Sequence, residues 1–157
     1  MKEEFDVKKE YNKFKDKYDL PNLDELNNIF ELDVIEKKDF LLRNIRRRMI
    51  DKLNFCSKII ESVIYPNLSS LVEIHDTKFF NEDEKNKLSK IYEKIIVYEK
   101  RSLVLDNSTT EKEDSLFIKN LFKEWDIIKK DVEEVLRKIE KCWTKKEEKP
   151  EGNAYFG

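Results

Sequence analysis

No glycine stands before position 152: Gly152 and Gly157, the only two in the 157-residue chain, both fall within its last six residues. Glycine is what allows positive φ and close approach of a ligand to the backbone. Without it, phosphate-cradling loops, dinucleotide-binding turns and tight β-hairpins are set aside for residues 1–151. The hydrophobic pattern names what is left.

That pattern is helical almost throughout. Val7, Tyr11, Phe14 and Tyr18 recur at steps of four, three and four, one face of a helix that Pro21 ends. Asn22 with Glu25 forms an N-cap pair for a short second helix carrying Leu23, Leu26 and Ile29 or Phe30. FELDV at 30–34 alternates apolar and acidic residues and reads as briefly extended, although an isolated strand lacks a partner. A long helix is predicted from about Glu36 to Tyr65, where Pro66 disfavours helix in the residue before it. Its core stripe is Leu42, Ile45, Met49, Leu53, Cys56, Ile60 and Val63. The connection to Phe80 holds one short helix around Leu68–His75.

Asn81 with Glu84 caps the next long helix, with Leu88, Ile91, Ile95, Tyr98, Ser102 and Leu105 inward. DNSTT at 106–110 is a turn, and Thr110 with Glu113 opens a helix whose Ile118, Leu121, Trp125, Ile128, Val132, Val135, Ile139 and Cys142 keep a 3.5-residue period. Phe117, Phe122, Leu136 and Trp143 widen that stripe, as a helix with several neighbours requires. The expected fold is therefore all-α: an antiparallel helical bundle of three long helices, plus an N-terminal helix and short connecting helices. The bundle is expected over 1–144. Residues 145–157 lose the period and form a disordered charged tail ending in Tyr155 and Phe156.

Hydrophobics at 39% and charged residues at 42% fit long solvated helices with narrow apolar stripes. Apolar runs stop at three to four residues, far short of the roughly 20 needed to span a bilayer, so a cytoplasmic protein with no membrane partner is expected. Cys56 and Cys142 lie on apolar stripes, where a free thiol acts as a small buried hydrophobe. His75 is the only histidine, which excludes paired Glu-x-x-His iron sites and leaves nucleophilic triads without supporting motifs. No enzymatic activity, cofactor or metal is expected.

One segment stands apart. FLLRNIRRRMI at 40–50 gathers Arg43, Arg46, Arg47 and Arg48 in two turns of a chain that elsewhere uses mainly lysine, with only Arg101 and Arg137 outside the cluster. With Ile45 pointing inward, Phe40, Arg43, Arg47 and Ile50 fall on the outer face, and Arg46 and Arg48 on the flanks. Eight positive residues against Asp39 and Asp51 make residues 37–58 locally +6, in a chain whose total is −2. Arginine beside apolar anchors is typical of contact surfaces. The candidate binding residues are Phe40, Arg43, Arg46, Arg47 and Ile50, with Tyr155 and Phe156 of the tail as a second contact. The competing reading has these arginines neutralised within the bundle by acidic neighbours. The expected partner is an acidic protein surface or another helix; the alternative is RNA or DNA phosphate, against which the near-neutral total charge argues. A homodimer through the 3.5-residue stripe is a further option.

The segments KYDLPNLDELNNIFEL, FLLRNIRRR and FKEWDIIKK resemble a family of small all-helical archaeal proteins with no assigned activity. The resemblance runs from about Lys17 to Trp143 and rests on helical motifs of low specificity. It implies a cytoplasmic archaeal protein and assigns no functional residue.

Overall fold

The computed structural model describes residues 5–147. They form six helices: α1 Val7–Tyr18, α2 Leu23–Phe30, α3 Leu41–Ile64, α4 Leu71–Thr77, α5 Glu82–Asn107 and α6 Glu111–Glu147. No strand occurs among the described residues. The fold is an all-α bundle in which α3 packs against both α5 and α6.

The polar contacts give the directions. Arg46, near the start of α3, reaches Asp106 at the end of α5 and Asp114 at the start of α6. Along α5 and α6 the ion pairs Lys138–Glu84, Asp131–Lys87, Glu124–Lys94 and Glu113–Arg101 step in opposite senses, so these two helices are antiparallel. The spacing of seven on α5 from Lys87 through Lys94 to Arg101 keeps them on one edge.

All seven stripe residues of α3 are buried, as are Ile118, Leu121, Trp125, Ile128, Val132 and Val135 of α6. They form one core with Tyr11, Leu26 and Phe30 of the N-terminal helices. Phe30 meets Trp125 edge-on at 5.1 Å, tying α2 to α6, and Tyr11 donates its hydroxyl to the Pro21 carbonyl at 2.7 Å. Burial pushes the Tyr11 hydroxyl well above its ordinary range.

Local chemistry sets the boundaries. Asn81 and Glu84 form a reciprocal capping box at α5, and Thr110 and Glu113 bond each other's backbone N–H at α6. The chain also takes positive φ without glycine. Asp19 and Glu31 stand in the left-handed region at the C-caps of α1 and α2, where glycine is the usual occupant, and Phe40 does so at the N-cap of α3.

Four expectations are corrected. The segment expected to be extended at 30–34 closes α2 and then makes a 3₁₀ turn at Leu32–Val34. Asn27 pins it by donating to Asp33 Oδ2 at 2.8 Å and accepting from the Asp33 N–H at 3.0 Å. The helix expected from Glu36 starts at Leu41 instead. Glu36–Asp39 offers four consecutive charged residues with nothing to bury, and helical hydrogen bonds alone do not sustain a turn in water. The short connecting helix lies at Leu71–Thr77 because Ser70 supplies its cap, accepting from the Glu73 N–H. Finally, α6 continues through Glu147, three residues into the expected tail; the remainder of that tail lies outside the described residues.

Candidate functional site

Four arginines within two turns of α3 meet four different fates. Arg46 is completely buried (0% exposed). Its Nε donates to Asp114 Oδ1 at 2.7 Å, Nη2 to Asp106 Oδ1 at 2.6 Å, and Nη1 to the Ser102 carbonyl at 2.9 Å and the Ser102 hydroxyl. Arg47 is exposed and donates from Nε to the same Asp106 oxygen at 3.1 Å. Two guanidiniums thus face two carboxylates, with every nitrogen of the buried one engaged, which is the condition under which a buried ion is tolerated. Arg48 is half-buried between Glu31 at 3.6 Å and Asp51 at 3.5 Å.

Arg43 differs from these three. It makes no ion pair with any described residue. Its guanidinium carbon lies 4.7 Å from the centre of the Phe40 ring, and its Nε, screened from solvent, makes no hydrogen bond. The stack is a cation–π contact, and it fixes the orientation of the guanidinium.

Phe40 itself sits in an unfavourable backbone conformation, φ 56° and ψ 40°, and offers no side-chain cap to α3. A bulky residue in the left-handed region costs roughly 1–2 kcal/mol. The residue is 70% exposed, so little burial returns that cost. Ile50, two turns after Arg43, is half-buried and packs on the core edge. Beside Phe40 opens a cleft of about 520 Å³, bounded by Glu10 and Phe14 of α1, by residues 38–43, by Thr109–Glu111 in the turn before and at the start of α6, and by Asp114.

The sequence-derived outer face therefore keeps Phe40, Arg43 and Arg47 at the surface and Ile50 at its edge. Arg46 is removed from it: the flank it occupies points into the junction of α3, α5 and α6, and its partners are Asp106 and Asp114 rather than Asp39, Asp51 or Glu82–Glu84. Sequence reasoning missed the role of Asp114. A usable signal existed, since Asp114 precedes Ile118 by four residues and Leu121 by seven, on the same stripe. A carboxylate at a core position demands a buried cation. Tyr155 and Phe156 lie outside the described residues.

Burial works against the ionised form of Asp106, but the hydrogen bonds and charges of Arg46 and Arg47 outweigh it and hold the carboxyl below its usual 3.8. A depressed folded-state value gives stability that is complete above the unfolded value and lost as pH falls through the folded one. Urea midpoints measured from pH 6 down to pH 2 are expected to fall below about pH 4. Asp106→Asn is expected to show a shallower acid limb; an identical limb contradicts the assignment.

Elsewhere the chemistry-bearing residues are used in packing. His75 meets Phe79 edge-on and lies tilted against Trp143, with ring centroids 4.7 and 4.4 Å apart. Cys56 is buried, and desolvation pushes its thiol up; Cys142 is half-buried. Among the described residues, no three His, Cys, Asp or Glu side chains are grouped so as to hold a metal ion, and no helix is long and apolar enough to cross a membrane. Comparisons with family models, with curated proteins and with solved structures find no match to the chain.

Proposed function

We propose that the protein is a non-enzymatic interaction module that binds an acidic protein surface or partner helix through Phe40, Arg43 and the adjoining turns of α3. One observation carries this reading: an exposed aromatic held in a costly backbone conformation, stacked on the single arginine of the cluster that has no carboxylate partner among the described residues. Strain concentrates where function requires a particular presentation. Lys37 and Lys38 are exposed and make no ion pair among the described residues, but the same holds for Glu36 and Asp39, so the charge the face offers a partner is that of Arg43 itself. The arrangement pairs an apolar anchor with an oriented guanidinium, whose planar fork suits a carboxylate, as in interface hot spots.

The same arginines support the nucleic-acid reading less well. Arg46 is sealed in the core, and Arg47 and Arg48 already face carboxylates. One uncommitted arginine with scattered lysines supplies few phosphate contacts, and affinity for nucleic acid grows with their number.

Phe40→Gly separates this proposal from a merely structural role. Glycine accepts positive φ and is also a better N-cap than phenylalanine, so stability is expected to hold or rise by up to about 1 kcal/mol. Capture of the protein partner is expected to be lost in this variant, and likewise in Arg43→Glu, with helicity unchanged by circular dichroism. Capture that survives both substitutions removes this face from consideration.

A further inference from the structure

The apolar stripe of α6 from Ile118 to Val135 lies in the core, so it is not available to a second chain. The helix beside it carries another apolar face. In α5, Leu88, Ile95, Ser102 and Leu105 are buried, and Lys87, Lys94 and Arg101 pair across to α6. On the side turned away from these, at about 100° per residue, Glu93, Ile96, Val97, Leu103 and Val104 all fall within about 60° of Lys100. Val97 is 67% exposed, Leu103 60% and Val104 57%, while Ile96 is half-buried. Four aliphatic side chains within three turns of one face form a contiguous patch rather than scattered surface apolarity.

Two charges say what covers it. Glu93 and Lys100 are exposed, and neither makes an ion pair with a described residue, unlike the charges on the α6 edge of the same helix. They stand seven residues apart, with Ile96 and Val97 midway between them. In a two-fold contact, a residue that meets a second residue is itself met by its counterpart. Two copies of α5 crossing antiparallel, with the two-fold axis between Ile96 and Val97, therefore bring each Glu93 against the other copy's Lys100. The aliphatics Ile96 and Val97 of both copies meet on the axis. Leu103 comes against the other copy's Lys90, whose aliphatic stem covers it. Parallel helices would set glutamate on glutamate and lysine on lysine, and an antiparallel contact centred on Lys100 would oppose two ammoniums. Of these three arrangements, the charges favour the first.

We propose that two copies of the chain associate through this face of α5, antiparallel, with reciprocal Glu93–Lys100 pairs flanking Ile96 and Val97. The contact uses neither Phe40 nor Arg43, so failure of either proposal leaves the other standing. A single helix pair belongs with the smaller interfaces, which makes the dimer concentration-dependent.

Sedimentation equilibrium of the full chain, from about 1 μM to about 1 mM, is expected to show a reversible monomer–dimer equilibrium. Glu93→Lys alone and Lys100→Glu alone each turn two attractive contacts into two repulsive ones, and each is expected to raise Kd about tenfold. An equimolar mixture of these two variants, and the double variant Glu93→Lys/Lys100→Glu, are expected to recover the natural association. Loss of fold cannot produce that rescue. Val97→Asp is expected to stay monomeric throughout the range. A natural chain that is monomeric at the highest concentration overturns the proposal, as does a dimer that Val97→Asp leaves intact. A dimer indifferent to both single charge reversals, or a mixture no tighter than its components, overturns the antiparallel pairing.

Discussion

Arg46→Met is expected to destabilise the fold by about 3–5 kcal/mol, the range for removing one partner of a buried ion pair. Asp114 is nearly as buried as Arg46, and the substitution leaves its carboxylate with no counter-charge. Packing is not the cause, because methionine keeps most of the aliphatic stem. In a domain of this size the loss corresponds to a fall in Tm on the order of 10 °C. Arg46→Met combined with Asp114→Leu removes both buried charges, leaving Asp106, which is part-exposed and keeps Arg47. That double variant is expected to recover most of the loss, since apolar replacement of a whole buried pair is often neutral. Urea unfolding of the single and double variants measures both; a single-variant loss below about 1 kcal/mol contradicts the role given to this network.

Trp125→Ala is expected to cost a similar amount, about 3–5 kcal/mol, for a different reason. The indole fills the space between α2 and α6 against the edge of Phe30, and its deletion leaves a cavity that two packed helices cannot close. Trp125→Phe is expected to cost far less, about 1 kcal/mol, since the smaller ring leaves less void. It also removes a buried indole N–H that makes no hydrogen bond, a group that itself costs roughly 1–3 kcal/mol. Urea unfolding again decides: equal losses for the two variants mean that the N–H has a partner and that packing is not the main term.

Much of the architecture was legible in the sequence because it follows from periodicity and caps. The α3 and α6 stripes, the Asn81–Glu84 box and the Thr110–Glu113 pair all form where their spacing predicts. What was not legible depended on contacts between distant segments. The start of α3 is set by Phe40 taking a left-handed conformation, which no local propensity favours for that residue. The fate of Arg46 was hidden because a helical wheel gives a direction but not the neighbour found there. Only the antiparallel assembly brings the end of α5 and the start of α6 against the first turns of α3. The same limit applies to the glycine argument. Its absence excludes loops that need several permissive positions in a row, yet single left-handed residues are carried by Asp19, Glu31 and Phe40.

Two of those three positions cap helix C-termini, where the left-handed conformation lets the backbone N–H close the last turn. Phe40 has no such return: it begins a helix, caps nothing with its side chain and leaves its ring in water. That contrast within one chain is why the proposed interaction face centres on Phe40 and Arg43 rather than on the arginine run as a whole.

The most direct measurement is affinity purification of the tagged protein from native lysate, with half of each sample treated with nuclease and the bound proteins identified by mass spectrometry. It is run in parallel for the natural chain, Phe40→Gly and Arg43→Glu. An interaction module of the kind proposed keeps its protein partner after nuclease and loses it in both variants. A partner that disappears with the nucleic acid, or that both variants retain, contradicts the proposal.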